Sequence, residues 1–88
     1  MAGDAGRAAG PVFKTTKEAG EAAAKLGFKK VRGTSKGEAV FSDGKRFITR
    51  DNTGHNGGAF KMADSVKGLG SKKTRTGTFD ADLNKVGP

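Results

Sequence analysis

The feature that most restricts the fold is the Asp-Gly pair at residues 43–44, which lies between two stretches of β-favouring residues. Asp-Gly is a strong predictor of a two-residue hairpin turn, because both central positions require a positive φ. We therefore predict an antiparallel hairpin made of residues 38–42 and 45–51. A two-residue turn also predicts the register, with Val40 opposite Phe47.

Residues 15–26 have the pattern of an amphipathic helix. Thr15 and Glu18 have the spacing of a capping box, in which side chains accept hydrogen bonds from the first amides. Gly27 suits the left-handed residue that ends many helices. One face of the helix would be apolar and made mostly of small residues, so it can lie close to a sheet. These residues are Ala19, Ala22, Ala23 and Leu26.

The rest of the chain favours short strands and loops. Residues 29–34 and 74–79 are predicted strands, and a turn is expected at 80–82. Residues 59–69 are ambiguous, since their apolar spacing also fits a short helix. The expected fold class is α+β, with an N-terminal helix packed on a small twisted antiparallel β-sheet.

The size of the chain predicts a single domain with one small core. It has 88 residues, of which 15 are glycine and 33% are apolar, and it has no cysteine to form disulfides. Residues 1–12 are rich in Gly and Ala, so we predict a flexible lead-in there and one domain over residues 13–88. No apolar segment reaches membrane-spanning length, so we expect no membrane anchoring.

The net charge of +8 is distributed unevenly. Residues 13–37 carry seven bases and two acids, residues 38–64 carry four of each, and residues 65–88 carry five bases and two acids. The basic excess therefore flanks a neutral centre that contains His55, the single histidine. This distribution favours a polyanion held by its phosphates on both sides of a reactive centre, although lysines also serve simply to keep proteins soluble.

The residue inventory argues against several kinds of site. One histidine, no cysteine and scattered aspartates do not suit a transition-metal centre, so we predict no metal and no cofactor. The segment 68–74, GLGSKKT, lacks the spacing of a phosphate-binding P-loop, and no G-x-S-x-G nucleophile motif occurs. DNA cleavage normally requires a metal, so a deoxyribonuclease is a weaker alternative.

Metal-free RNA cleavage fits the remaining groups. RNA supplies its own nucleophile, the 2′-hydroxyl, so the protein needs only a base, an acid and cations around the phosphate. The glycine-rich loop 54–58 carries His55, which can act as acid or base, and Asn56, which adds a polar contact. Asp51 and Lys61 flank this loop in the chain. The alternative is a glycine-rich turn whose histidine is merely solvated.

Two further segments, residues 29–36 and residues 72–80, suit contact with an RNA backbone. The segment 72–80, KKTRTGTFD, combines cations and hydroxyls on a predicted strand. Alternation would place Arg75 on the same face as Gly77 and Phe79, away from Thr78. Charges on such a strand also protect a sheet edge from aggregation. The residues predicted from both segments to contact RNA are Lys29, Lys30, Arg32, Lys36, Lys72, Lys73 and Thr76, of which the first four equally fit a solvated face.

The order of these motifs resembles that of the C-terminal toxin domains of bacterial polymorphic toxins, including contact-dependent growth inhibition effectors. The likeness covers residues 14–87 and rests mainly on GHNGG at 54–58 and RTGTFD at 75–80. Phe60 stands where a tryptophan is more usual. The resemblance implies a barnase/EndoU/colicin/RelE-like fold, in which helical structure packs against an antiparallel sheet.

The resemblance also implies a function. It predicts a metal-independent ribonuclease that cleaves tRNA, is delivered as part of a larger effector, acts in the cytoplasm of a target bacterium and is neutralised by a cognate immunity protein. Some such toxins also require a host translation elongation factor. His55 becomes the leading catalytic residue, with Asp51, Lys61, Arg75 and Thr78 around it.

A non-catalytic RNA-binding module is the alternative of a different class. It would depend on its lysines and arginines, and His55 would be dispensable. An enzyme would lose cleavage but keep its RNA affinity when this histidine is replaced.

Overall fold

The fold consists of one helix and one antiparallel sheet. The computed structural model describes residues 11–54 and 57–88, so most of the predicted lead-in, residues 1–10, lies outside the described residues. Within the described ranges, the six strands pair in chain order, and each pair is antiparallel. The predicted α+β class is confirmed. The elements are α1 (Thr16–Lys25), β1 (Lys29–Ser35), β2 (Glu38–Ser42), β3 (Phe47–Arg50), β4 (Phe60–Ala63), a 3₁₀ helix (Lys67–Gly70), β5 (Arg75–Phe79) and β6 (Lys85–Gly87).

The predicted cap of α1 is confirmed. The Thr15 hydroxyl accepts a hydrogen bond from the Glu18 amide at 3.1 Å. The Glu18 carboxylate in turn accepts from the amide of Lys14 at 2.7 Å, one residue earlier than in a standard capping box. Gly27 follows the helix with φ +91°, the left-handed conformation expected there.

Small residues bring α1 close to one face of the sheet. Ala19 and Ala23 are fully buried, as the apolar stripe predicted. A Cβ added at Gly20 would lie 3.3 Å from the ring of Phe41, tighter than most such contacts. The core on this face is completed by Phe28, just before β1, and by strand residues that include Phe41, Ile48, Phe60 and Met62. The helix therefore occupies this face and leaves the other one for a second, smaller cluster and for the candidate site.

The hairpin of β2 and β3 forms, but the predicted register is wrong by two residues. Val40 lies opposite Thr49, and Phe47 lies opposite Ser42. A shift by an even number preserves the faces, since side chains alternate with a period of two. Val40 and Phe47 therefore still share a face, and both belong to the smaller cluster around Leu69.

The register differs because the turn contains four residues, 43–46, instead of two. The Asp43 carboxylate accepts hydrogen bonds from the amides of Lys45 at 3.0 Å and Arg46 at 2.8 Å. The Arg46 guanidinium also pairs with this carboxylate at 2.9 Å. A side-chain network of this kind stabilises a longer turn than the Asp-Gly pair alone indicates.

We predict that the Asp43 turn makes stability sensitive to acid. The pKa of Asp43 lies well below its ordinary value of 3.8, chiefly because the Arg46 amide donates a hydrogen bond to the carboxylate. A lowered folded-state pKa contributes stability that is present above the ordinary value and is lost as the pH falls through the folded-state pKa. Urea unfolding followed between about pH 5 and pH 2 should therefore show a smaller loss of stability for Asp43→Asn than for the parent.

The matched control for this prediction is Asp82→Asn. It removes another carboxylate, on a residue that is exposed in the turn before β6. Parallel losses of stability in the parent and Asp43→Asn would contradict the role given to the Asp43 turn.

Residues 60–63 form a central strand, so the short helix considered for residues 59–69 is wrong over its first half. Phe60 and Met62 point to the α1 side, whereas Lys61 and Ala63 point to the other. This alternation has the period of a strand, and β4 pairs with strands on both sides. Helical structure appears only later, as the single 3₁₀ turn.

A bulge in β5 overturns the predicted face of Arg75. Met62 pairs with Gly77, but the next residue, Ala63, pairs with Arg75, so Thr76 is an extra residue in β5. Arg75 consequently lies on the same face as Thr78, because strict alternation fails at a bulge. The prediction that Arg75 shares a face with Gly77 is wrong, and the correction places its guanidinium on the face opposite α1.

Candidate active site

The candidate site is a pocket on the sheet face opposite α1. It has a volume of about 320 Å³ and lies over β4 and β5, beside the end of β3 and the end of β6. Its wall is formed by Asp51, Thr53, Lys61, Lys72, Arg75, Thr78, Gly87 and Pro88. The pocket therefore joins segments that are as much as 37 residues apart in the chain.

The pocket brings together four of the five residues predicted to be catalytic. Lys61 on β4 lies directly opposite Thr78 on β5. Arg75 joins them through the bulge, and Asp51 follows the last residue of β3. The fifth residue, His55, lies outside the described residues, as does Asn56.

The predicted RNA-contacting residues that the structure describes separate into three groups. Lys72 lines the pocket with the candidate catalytic residues. Lys73 and Thr76 are exposed but do not line it. The remaining four are exposed on β1 and the turn after it, at the opposite edge of the sheet from β6; they are Lys29, Lys30, Arg32 and Lys36.

Asp51 is a buried carboxylate held by a local turn. The residue is only 2% exposed. Its Oδ1 atom accepts hydrogen bonds from the amide of Thr53 at 3.0 Å and from the Thr53 hydroxyl at 2.8 Å. Its amide donates to the carbonyl of Ala59 at 2.8 Å, which fixes the backbone beside β4. Burying a carboxylate is costly without such donors, so these bonds explain how the acid is retained at the pocket wall.

Three cations make the pocket electropositive. Lys61, Lys72 and Arg75 line it together with the side chain of Asp51. Across residues 11–54 and 57–88, the ion pairs are Arg46 with Asp43 and Arg50 with Glu38, and neither involves a pocket cation. The positive charge is therefore available to an anionic ligand.

Arg75 has hydrogen-bonding capacity that its neighbours do not use. One terminal nitrogen, Nη1, makes a long hydrogen bond of 3.5 Å to the carbonyl of Leu69. The buried Nε atom has no partner among the described residues. Guanidinium groups bind phosphate through two parallel N–H groups, so an unused buried donor at a pocket wall suits an oxyanion.

The end of β6 forms one wall of the pocket because Gly77 allows a close approach. A Cβ at position 77 would lie 2.8 Å from the carbonyl oxygen of Gly87, and φ at Gly77 is +156°. The Thr78 hydroxyl donates to the carbonyl of Pro88 at 3.0 Å. Thr78 is thus oriented by the backbone of a neighbouring segment and not by the pocket cations.

Sequence reasoning missed Thr53 and the backbone of residues 87–88. Thr53 follows Asp51 by two positions, and this spacing is typical of an aspartate that accepts hydrogen bonds from the residue two places on. That signal was present in the sequence. The position of residues 87–88 depends on the pairing of β6 with β5, for which a three-residue strand gives little local indication.

The described residues contain no cluster of three or more His, Cys, Asp or Glu side chains that could hold a metal. The described side chains that line the pocket supply a carboxylate, cations and hydroxyls. A carboxylate can accept a proton, and adjacent cations can stabilise negative charge on phosphate oxygens.

Comparison with known proteins identifies the family. Residues 21–88 match the model of a toxin-domain family described as novel toxin 21. The chain belongs to the novel toxin 21 family. The predicted resemblance to bacterial toxin domains is therefore confirmed.

Two relatives of this novel toxin 21 domain come from Enterobacter cloacae. A protein named 16S rRNA endonuclease CdiA is 41% identical in an alignment of 76 residues, and the match covers 80% of this chain but only 2% of that protein. A chain from the solved CdiA-CT/CdiI toxin and immunity complex is 37% identical, with a TM-score of 0.62. The alignment covers 84% of this chain and 99% of that one. The domain thus corresponds to a small part of a much larger relative.

No helix in residues 11–54 or 57–88 has the length and apolar character needed to cross a membrane.

Proposed function

We propose that this novel toxin 21 domain is a metal-independent ribonuclease. The observation that carries the proposal is the placement of the buried Asp51 carboxylate in one pocket with Lys61, Lys72 and Arg75. This set provides a proton acceptor and positive charge for a phosphate. The name of the CdiA relative, an RNA endonuclease, supports the same chemistry.

The proposed reaction is transesterification by the RNA 2′-hydroxyl. Asp51 accepts the proton of that hydroxyl, and the 2′-oxygen forms a bond to the adjacent phosphorus. The bond from phosphorus to the 5′-oxygen breaks, and that oxygen leaves with a proton donated by His55. The products carry a 2′,3′-cyclic phosphate and a 5′-hydroxyl. General acid and base groups of this kind each accelerate such steps by about 10²–10⁴-fold.

The cations act on the charge that develops at phosphorus. Lys61 and Arg75 contact the non-bridging oxygens, and the Thr78 hydroxyl oxygen helps to position the scissile group. Lys72, at the pocket wall, contacts a neighbouring phosphate. The exposed bases on β1 lie too far along the sheet to join the reaction, so we assign them to more distant phosphates of a long RNA.

Two RNA classes are candidates for the substrate. The CdiA relative is named for 16S rRNA, which favours the same RNA here. The tRNA substrate expected from sequence remains a prediction, as does the need for a translation elongation factor. A pocket lined by three cations suits the phosphates of either RNA and does not itself choose between these RNAs.

The proposed biological setting is antibacterial. As part of a larger effector, the domain would enter the cytoplasm of a target bacterium, and an immunity protein would protect the producing cell. The solved complex of the CdiA-CT relative with CdiI supports a partner of this type. A partner that covers the pocket should present acidic groups to its three cations.

The test of the proposed function compares cleavage with binding. The purified chain is incubated in EDTA with intact ribosomes, with total tRNA and with deproteinised rRNA, and RNA affinity is measured in parallel. Discrete cleavage of one RNA class supports the enzyme and identifies its substrate. Tight, salt-dependent binding with every RNA left intact would favour the non-catalytic RNA-binding module instead.

We predict that Arg75→Lys lowers the cleavage rate by about 10²-fold, because lysine lacks the planar pair of donors that a phosphate accepts. The rate should be measured at saturating RNA, with thermal unfolding as a check on the fold. Arg46→Lys, the same change in the exposed turn between β2 and β3, lies outside the pocket; it is the matched control and should cleave at the parental rate. Equal rates for the parent and Arg75→Lys would contradict the proposed contact between Arg75 and the reacting phosphate.

A further inference from the structure

Thr53 holds Asp51 through two donors on one residue. The amide and the hydroxyl of Thr53 both donate to the same carboxylate oxygen, Oδ1, at 3.0 and 2.8 Å. Both residues line the pocket. Two donors at one oxygen fix the rotation of a carboxylate, because any turn of the group would stretch both bonds.

The arrangement makes the two oxygens of Asp51 different. Among the described residues, all hydrogen bonds to this carboxylate go to Oδ1. That oxygen has two donors, whereas Oδ2 receives none from those residues. A proton acceptor needs a lone pair that is not already engaged, so the difference selects Oδ2 as the atom that meets the substrate.

We infer that Thr53 is a positioning residue for the cleavage reaction. It holds Oδ1 so that Oδ2 faces the RNA 2′-hydroxyl, and it exchanges no proton with the RNA itself. This inference rests on the proposed ribonuclease function and adds to it the residue that orients the base. This role follows from the two hydrogen bonds that Thr53 donates to Oδ1 of Asp51, and not from the composition or the charge of the pocket.

A purely structural role for Thr53 makes a different prediction. If the hydroxyl only stabilised the turn after β3, its removal would lower stability and affect kcat only through loss of folded protein. Thr53 is an exposed residue, and its amide bond to Asp51 does not depend on the side chain. Replacement of the hydroxyl should therefore leave the turn and the fold in place.

The test uses two substitutions that separate the hydroxyl from the rest of the side chain. Thr53→Val keeps the shape and the amide but removes the hydroxyl, whereas Thr53→Ser keeps both donors. We expect Thr53→Val to lower kcat for RNA cleavage about tenfold, with little change in KM, and Thr53→Ser to restore most of the rate. Thermal unfolding of each variant should stay close to that of the parent.

Thr16→Val is the matched control. The Thr16 hydroxyl also donates to a carboxylate, that of Glu38, at 3.5 Å, and Thr16 is likewise exposed. This pair involves the first residue of α1, on the opposite side of the sheet from the pocket. The control removes the same group from a comparable position, and its kcat should equal that of the parent.

The outcomes separate this inference from the function on which it rests. An unchanged kcat in Thr53→Val, while the parent cleaves RNA, would overturn the positioning role and leave the ribonuclease intact. Equal losses in the Val and Ser variants, accompanied by lower unfolding temperatures, would assign Thr53 a structural role and also overturn it. No cleavage by the parent would overturn the ribonuclease proposal and this inference with it.

Discussion

Asp51→Asn is expected to reduce RNA cleavage by about 10³-fold while leaving RNA binding at least as tight as in the parent. Asparagine keeps the volume of the side chain and an oxygen that can accept both hydrogen bonds from Thr53. It cannot take the proton of a 2′-hydroxyl at neutral pH. It also removes the negative charge of the Asp51 side chain from the pocket, so phosphate affinity should not fall.

The measurement is a single-turnover cleavage rate, with a gel shift for affinity and a thermal unfolding curve. Asp64→Asn is the matched control, because Asp64 is exposed just after β4 and does not line the pocket. It should cleave as fast as the parent. A parental rate in Asp51→Asn would show that the buried carboxylate is not the base, and the proposed mechanism would fail at its first step.

His55→Ala is expected to lower cleavage by a similar factor, about 10²–10⁴-fold, with RNA affinity retained. This prediction rests on the sequence, since His55 lies outside the described residues. Imidazole is the one side chain in this chain whose ordinary titration falls near neutral pH, which suits donation of a proton to the leaving 5′-oxygen. The same rate and affinity assays apply.

The double variant Asp51→Asn/His55→Ala makes the prediction sharper. Groups that act in one reaction lose activity non-additively, so the double variant should be little slower than either single one. Multiplication of the two losses would mean that the residues act independently. Loss of RNA affinity together with activity in His55→Ala would contradict a catalytic role and support a binding module.

The helix and its cap could be predicted from the sequence because their determinants are local. Thr15 and Glu18 are three residues apart, and the alanine stripe has the helical period. The hairpin can be predicted for the same reason, but the predicted register is wrong by two residues. The Asp43 carboxylate accepts hydrogen bonds from the amides of Lys45 and Arg46, and these bonds stabilise a four-residue turn. The Asp-Gly pair alone does not show that this longer turn is favoured over a two-residue one.

The membership of the candidate site was easier to predict than its geometry. Lys61 and Thr78 were selected by residue type, and their pairing across β4 and β5 places them together. Strand alternation predicts the wrong face for Arg75, because a bulge depends on the partner strand and leaves no clear local pattern. For Thr53 the local signal is present, because it lies two residues after Asp51. Its importance follows only from the structure, in which Asp51 is buried at the pocket wall.

The distribution of charge was also only partly informative. The two basic segments flank a neutral centre in the chain, yet the fold sends them to different places. Lys72 and Arg75 reach the pocket, whereas the bases on β1 lie at the far edge of the sheet. The positions of the basic residues in the sequence therefore indicate that the ligand is a polyanion. They do not indicate which of these cations contact the reacting phosphate.

The most direct test of the central claim is the chemistry of the RNA ends produced in EDTA. Total bacterial RNA is incubated with the parent chain or with Asp51→Asn, and the termini at each cleavage site are identified. The proposed mechanism predicts discrete cleavage by the parent alone, with 2′,3′-cyclic phosphate and 5′-hydroxyl ends. Cleavage that appears only when a divalent metal is added, or that leaves 5′-phosphate and 3′-hydroxyl ends, would contradict it.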